Sequence, residues 1–284
     1  MPAFRSAYRS AVADVLPFLS SDGLEQIGRH NPGWKPPAFN PRAYLEASET
    51  RYSTALATFA RCGGRGTGPR LRVLDAGGFM GAFPLALRRL GASVTLSEKY
   101  GYYYGAFDRL RDFLIGEGVE VWDLDLTDDL DSIPAGGFDL VTAMAVLEHL
   151  AHSPKPIMGN LAAFLAPDGK VVVEVPNIAY WPKRLAFLRG ASPLPPLVDL
   201  YEAEQPFTGH HREYTRAELR DLLAWSGLAV DEIVSFNYTP WGGERLLDRL
   251  LEDIPRKVVP SFREVLLACA SRSAPGCGDG VATR

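Results

Sequence analysis

Cysteine is scarce: Cys62, Cys269 and Cys277 are the only three in 284 residues, far apart and without a CxxC pair. A disulfide-stapled framework and a zinc knuckle are therefore not expected, and a reducing compartment, the cytoplasm, fits best. Long apolar runs are missing too. No stretch approaches the ~18 apolar residues of a membrane-spanning helix, and the first segment sets Arg5, Arg9 and Asp14 among its apolar residues, unlike a secretory leader. Nor does charge of one sign prevail. Thirty Lys and Arg against 34 Asp and Glu leave a net −4, too weak a field to draw in nucleic acid. Apolar residues, by contrast, make up 46% of the chain, enough to fill one large domain or two small ones at about 150 residues each.

Phe4, Tyr8, Val12, Val15, Leu16 and Leu19 recur at three- and four-residue steps, which predicts an amphipathic helix whose apolar stripe docks as a cap. His30 to Pro41 is dense in Pro, Gly and Asn and reads as a linker loop. Helical spacing returns at Tyr44, Leu45, Tyr52, Leu56 and Phe59 and stops at the run Gly63 to Pro69. Residues 1–68 thus form an expected helical cap and linker. From position 71 short apolar runs alternate with helical patterns: LRVLDA, FPLALRRL closed by Gly91, ASVTLS, AFDRLRDFLI closed by Gly116, VEVW and FDLVTAMAV. KVVVEVP follows, introduced by the turn Pro167, Asp168, Gly169. This alternation predicts an α/β domain, a parallel sheet with helices on both faces. A proline-rich insert, 190–214, precedes Thr215 and Glu218, which have capping-box spacing, and a helix ended by Gly227. LAVDEIVSF and SFREVLLACA then supply two last strands, seven in all. The main domain is expected over 69–270, with 271–284 as a flexible tail.

The first strand ends VLDAGGFMG, with Asp75 last in the strand and Gly77, Gly78 and Gly81 in the turn before a helix. Glycines let backbone approach a ligand, and the helix start offers free N–H groups to an anionic group. Alone, such a turn is also an ordinary tight connection. The second strand, SVTLSE, ends in Glu98, 23 residues after Asp75. A carboxylate there can accept both hydroxyls of a ribose. Turn and acid together point to an adenosine-type ligand.

In these motifs the chain resembles the class I S-adenosylmethionine-dependent methyltransferases, from about Leu71 to Ala270. VLDAGGFMG is similar to the family's first motif and SEKY places Glu98 at the ribose acid. VWDLDL places Asp125, or in the alternate register Asp123, beside the adenine amino group. FDLVTAMAVLEHL resembles the fourth strand with its Glu-His pair, VVVEVPN the fifth strand, and HHREYTRAEL the entry to the late helix. The resemblance implies a Rossmann-like sheet with the last strand antiparallel, S-adenosyl-L-methionine as methyl donor, and Asp75, Gly77, Gly78, Gly81, Glu98 and Asp125 around it. Two departures stand out. Phe79 occupies a position that is usually glycine, so its ring must point away from the donor or narrow its pocket. Ubiquinone-pathway O-methyltransferases, which this region also resembles, carry an extra acid where this chain has Ala145, and Glu148 with His149 alone make a poor site for a hard cation. No metal is expected.

A methyl acceptor bearing a hydroxyl would need a base. His149 and His211 are the first candidates, with His210 a third that could simply face water. Trp34, Tyr180, Trp181, Tyr201 and Trp241 suit a sugar ring or an aromatic metabolite, and a small hydroxyl acceptor of sugar, lipid-linked or aromatic type is the expected partner. Two other readings remain. The run Ala76 to Gly81 is one residue from GxGxxG, which would suit a nicotinamide-dependent oxidoreductase but leaves Glu148-His149 and the terminal strand pair unexplained. A binding-only relative that lost turnover through Phe79 is the other.

Overall fold

Alternating apolar residues in the strand runs leave two faces to bury, and the computed structural model, which describes residues 1–31, 39–128, 130, 135–203, 207, 209–239 and 254–273, shows how both are covered. Seven strands form one sheet in the order β3-β2-β1-β4-β5-β7-β6. They are β1 (Arg72–Ala76), β2 (Ser93–Glu98), β3 (Glu120–Asp123), β4 (Phe138–Met144), β5 (Leu165–Pro176), β6 (Leu228–Phe236) and β7 (Val265–Arg272). β1 to β5 run parallel, and β7 runs antiparallel to both β5 and β6. Strand order reverses at β1, where β2 lies on one side and β4 on the other. In a sheet of this kind the crevice beyond the carboxyl ends at that reversal is where a ligand binds.

The helices are α1 (Pro2–Val15), α2 (Ser21–His30), α3 (Pro41–Arg61), α4 (Ala82–Arg89), α5 (Asp108–Gly116), α6 (Lys155–Phe164), α7 (Trp181–Leu188), α8 (Leu197–Tyr201), α9 (Arg216–Trp225) and α10 (Ile254–Val258). Val73, Leu96, Leu140 and Val172 on one face of the sheet share a cluster with Phe4, Tyr8, Leu56, Phe59 and Phe83. Leu74, Val141, Ala143 and Val173, the alternate positions, pack with Met158, Leu161 and Leu223 on the other. The N-terminal helices are thus part of the first layer. The Tyr52 ring stacks on Phe83 of α4 at 4.3 Å between centroids, and the Tyr8 hydroxyl donates to the Leu45 carbonyl at 2.8 Å.

Local details differ from the periodicity. Pro167, Asp168 and Gly169 lie within β5: Leu165 faces Phe138 and Lys170 faces Leu140, so the turn bulges out of the ladder instead of preceding it. Gly116 closes α5 from inside the helix, and Gly118, at φ +83°, makes the left-handed turn. α2, α6, α7, α8 and α10 have no counterpart among the expected helices; α7 and α8 hold no fully buried residue, so no apolar stripe marks them. Arg272 extends β7, donating to the carbonyls of Ala162, Ala163 and Leu165. Most of the expected linker (32–38), part of the insert (204–206 and 208), Trp241 and 274–284 lie outside the described residues.

Folding also joins Cys62 of the α3 end to Cys269 of β7. Both are free thiols, close to Asp231. The Asp231 carboxylate is held by Lys170 at 2.9 Å.

Candidate active site

The glycine turn after β1 is built on left-handed backbone. Gly77 and Gly81 sit at φ +66° and +72°, and a Cβ on Gly78 would lie 2.2 Å from Leu96 Cδ1 and 2.5 Å from Asp75 Oδ2. Only glycine lets the chain pass so close to the strand below it. Phe79 takes φ +53° as well, a conformation that costs a non-glycine residue on the order of 1 kcal/mol. Its ring leaves the turn toward Tyr44, Phe39, Tyr103 and Phe107, at centroid distances of 5.7 to 6.5 Å. That aromatic packing offsets the strain and directs the side chain to the start of α3.

Two acids lie under this turn. Asp75 is buried, its Oδ1 accepts from the Thr142 hydroxyl at 2.6 Å, and its Oδ2 has no hydrogen-bond partner. Burial pushes this carboxyl up to about 7 in spite of the Thr142 bond. The half-buried Glu98 Oε2 accepts the Phe79 N–H at 2.8 Å and Oε1 the Lys99 N–H at 3.0 Å, and the Tyr103 hydroxyl donates to the same carboxylate. Burial raises its pKa, and these donors hold it back. A carboxylate has about four acceptor sites, so Glu98 keeps capacity for one further donor without losing any of these three.

The two acids of the third strand part company. Asp123 accepts the Tyr100 N–H at 3.1 Å, tying the end of β3 to the turn after β2. Asp125 accepts from the Thr127 N–H and hydroxyl at 2.9 and 2.7 Å and from the Tyr102 hydroxyl at 3.0 Å. Burial works to raise the Asp125 carboxyl, and these donors outweigh it and hold it below its ordinary value.

The opposite wall of the crevice rises from the ends of β4 and β5. Ala145 leaves β4 at φ +57° and leads into a 3-10 turn, Leu147–His149. Glu148 is buried there and its Oε2 meets no partner. Burial pushes its carboxyl up to about 8, with the nearby Glu174 charge adding to the effect. The Glu148 carbonyl accepts the His211 N–H at 2.7 Å, and the Tyr214 N–H reaches the Pro176 carbonyl at 3.2 Å. HHREYT therefore lies across the carboxyl ends of β4 and β5. Thr215 and Glu218 complete a reciprocal capping box that starts α9 where this segment ends.

All three candidate histidines converge on this wall. His149 is exposed, with Nδ1 3.3 Å from the Gly209 carbonyl. His210 Nδ1 lies 2.9 Å from the buried Glu213 carboxylate, whose other oxygen pairs with Lys183 of α7. His211 is exposed and places Nε2 2.9 Å from the Phe207 carbonyl. The His149 and His210 rings meet edge to face at 5.0 Å. Ligand-capable atoms of Glu148, His149 and His210 lie within 4.8 Å of one another. The tertiary fold thus adds an imidazole to the Glu-His pair on which the expectation of no metal was based.

Other groups at this wall have no mark in the motifs. Arg51 of α3 is buried against Glu174 of β5, Nε to Oε2 at 2.6 Å and Nη2 to Oε1 at 3.2 Å. Its Nη1 donates to the Tyr44 hydroxyl at 3.1 Å, and the Tyr238 ring covers the guanidinium at 4.5 Å. Burial opposes the charge on Arg51, and Glu174 overrides it, so the guanidinium stays protonated. A signal was available: Arg51 interrupts an apolar helix stripe and Glu174 interrupts the run VVVEVP, and two buried opposite charges require each other.

These features have relatives. The Methyltransferase domain family matches residues 44–233, well over half the chain. Ubiquinone biosynthesis O-methyltransferase of Xanthomonas axonopodis pv. citri is 30% identical over 172 residues, 60% of this chain and 67% of that protein. The Xanthomonas oryzae pv. oryzae protein of the same name is 28% identical over 177 residues, with the same two coverages. Among solved structures, magnesium protoporphyrin IX methyltransferase from Synechocystis PCC 6803, with bound S-adenosylhomocysteine, superposes with a TM-score of 0.53 at 18% identity, over 89% of this chain and 94% of that one. An S-adenosylmethionine-dependent methyltransferase from Mesorhizobium loti gives 0.52 at 17% identity, over 80% and 98%. The strand order reversing at β1, the left-handed glycine turn and these matches agree, and the chain belongs to the class I S-adenosylmethionine-dependent methyltransferases.

Proposed function

We propose that the protein methylates a hydroxyl of a small, amphiphilic acceptor, with Asp75, Gly77, Gly78, Gly81 and Glu98 holding the donor and Asp125 facing its base. The observation that carries the donor assignment is the Glu98 carboxylate, fixed by the Phe79 and Lys99 N–H groups at the mouth of the glycine turn. Its remaining acceptor site suits one ribose hydroxyl, and exchange with the Tyr103 hydroxyl accommodates the second. The orphaned Asp75 Oδ2 under the turn is a second polar atom awaiting a donor. Bound there, S-adenosyl-L-methionine supplies an electrophilic methyl group on a sulfonium that is its own leaving group. The chain then contributes alignment, exclusion of water and a place for the acceptor proton.

Three features favour an amphiphilic hydroxyl acceptor. The relatives in Xanthomonas are O-methyltransferases by name. Histidines line the acceptor wall, as removal of a hydroxyl proton requires. Phe187, Leu188, Leu197, Val198 and Tyr201 of α7 and α8 are all more than half exposed, an apolar surface beyond the end of β5 suited to an aromatic or lipid-linked group. Calorimetry with S-adenosylhomocysteine tests the donor site: Glu98→Ala is expected to weaken binding by about tenfold to a hundredfold, the loss of a charge-assisted contact of about 1.5–3 kcal/mol. An unchanged affinity in a folded variant refutes the assignment.

A further inference from the structure

We propose that His210 is the group that takes the proton from the acceptor hydroxyl, and that Glu213, clamped by Lys183, is the positioning residue that makes it a base. This rests on the hydroxyl-acceptor reading above. A carboxylate can only accept, so with Glu213 Oε1 2.9 Å from Nδ1 the proton sits on Nδ1 and the lone pair on Nε2. The Glu213 side chain is 2% exposed and is held in turn by the Lys183 ammonium across the insert. Burial works to raise the Glu213 carboxyl, and His210 and Lys183 outweigh it and keep it ionised. His149 Nδ1 and His211 Nε2 face the carbonyls of Gly209 and Phe207, whereas His210 Nδ1 faces the Glu213 carboxylate. The charged and titratable groups that meet the His210 ring or its partner include Glu213 on its own loop, Lys183 on α7, and Glu148 and His149 on the turn after β4.

In the transfer the hydroxyl proton passes to His210 Nε2, the oxygen pair forms the new O–CH₃ bond, and the carbon–sulfur pair stays on the departing thioether. Charge is conserved: one sulfonium is replaced by one imidazolium, which forms beside the Glu213 carboxylate.

Glu213→Gln tests the arrangement sharply. Lys183 is a donor only, so it claims the amide oxygen and turns the NH₂ toward His210 Nδ1, forcing the proton to Nε2. Long-range ¹H–¹⁵N spectra of the ligand-free enzyme, taken where the ring is neutral, are expected to show Nδ1–H in the parent and Nε2–H in Glu213→Gln. Adding Lys183→Met frees the amide to turn over, and Nδ1–H should return. With 3,4-dihydroxybenzoate as a catechol probe, His210→Ala and Glu213→Gln are expected to lower kcat about a hundredfold, while S-adenosylhomocysteine affinity stays within about twofold of the parent. The inference is overturned by an Nε2–H tautomer in the parent, by an unchanged tautomer in Glu213→Gln, by parent kcat in His210→Ala, or by activity that EDTA abolishes and a divalent ion restores. Failure of the parent to bind S-adenosylhomocysteine or methylate the probe counts against the proposed function, and the tautomer spectra still decide whether Glu213 sets His210.

Discussion

The two walls of the crevice are built differently. On the donor wall, the partners of each acid are near in sequence or on the adjoining strand: Glu98 takes the N–H groups of Phe79 and Lys99, and Asp75 the hydroxyl of Thr142. On the acceptor wall, α3, β5, the turn after β4, α7 and the insert each send one ionisable group to this region. A short-range device survives local change, whereas a long-range one depends on several distant elements staying docked. Breaking one charge on the acceptor wall should therefore cost more than breaking any local hydrogen bond.

The largest effect is expected at Arg51. Arg51→Met leaves the Glu174 carboxylate buried without its partner, and urea unfolding should show a loss of about 3–5 kcal/mol. Replacing both members, Arg51→Met with Glu174→Met, should recover most of it, since a buried pair is replaceable by apolar groups of similar volume. If the double variant is no more stable than the single one, the pair is not what joins α3 to β5.

A smaller effect separates the walls by pH. Burial holds Glu148 up to about 8 against an ordinary 4.5, so between those values the folded chain keeps a proton that the unfolded chain has lost. Stability must then fall as pH rises through that window. Asp75, pushed up to about 7, acts in the same direction from the donor wall. Glu148→Gln should flatten the decline above pH 7 and leave the Asp75 part below it, as thermal unfolding across pH 5–9 will show.

The smallest effect belongs to a local device on the acceptor wall. Thr215→Ala removes one half of the capping box at the start of α9 and should cost about 1 kcal/mol, with S-adenosylhomocysteine affinity unchanged. A loss several times larger would mean that the cap also holds HHREYT in place, and the local and long-range classes would merge.

Legibility in the sequence follows the same division. The strands, α1, α3 to α5, α9 and its capping box were readable because each has a stripe, an alternation or a terminal signal within a dozen residues. α7 and α8 were not, since helices without a fully buried residue leave no clear apolar period. The position of Glu98 at the end of β2 was readable from the motif spacing, whereas Asp75, expected last in its strand, is followed by one more strand residue, Ala76. His149 and His211 were singled out as bases on motif and position, whereas the carboxylate that orients an imidazole, Glu213 on His210, emerges only when the insert folds back over β4 and β5.

What the sequence determined by itself is the alternation of strands and helices and the backbone freedom of the glycine turn, because hydrophobic period and glycine conformations are properties of short segments. Tertiary structure decided where Phe79 points, which charge neutralises Arg51, and which histidine receives a carboxylate. Each depends on side chains that only packing brings together: Arg51 and Glu174 from distant elements, Phe79 and the rings of Phe39, Tyr44, Tyr103 and Phe107 from three separate segments, and Glu213 from an insert laid over β4 and β5. A buried charge needs a partner, but the chain does not record which one until it has folded.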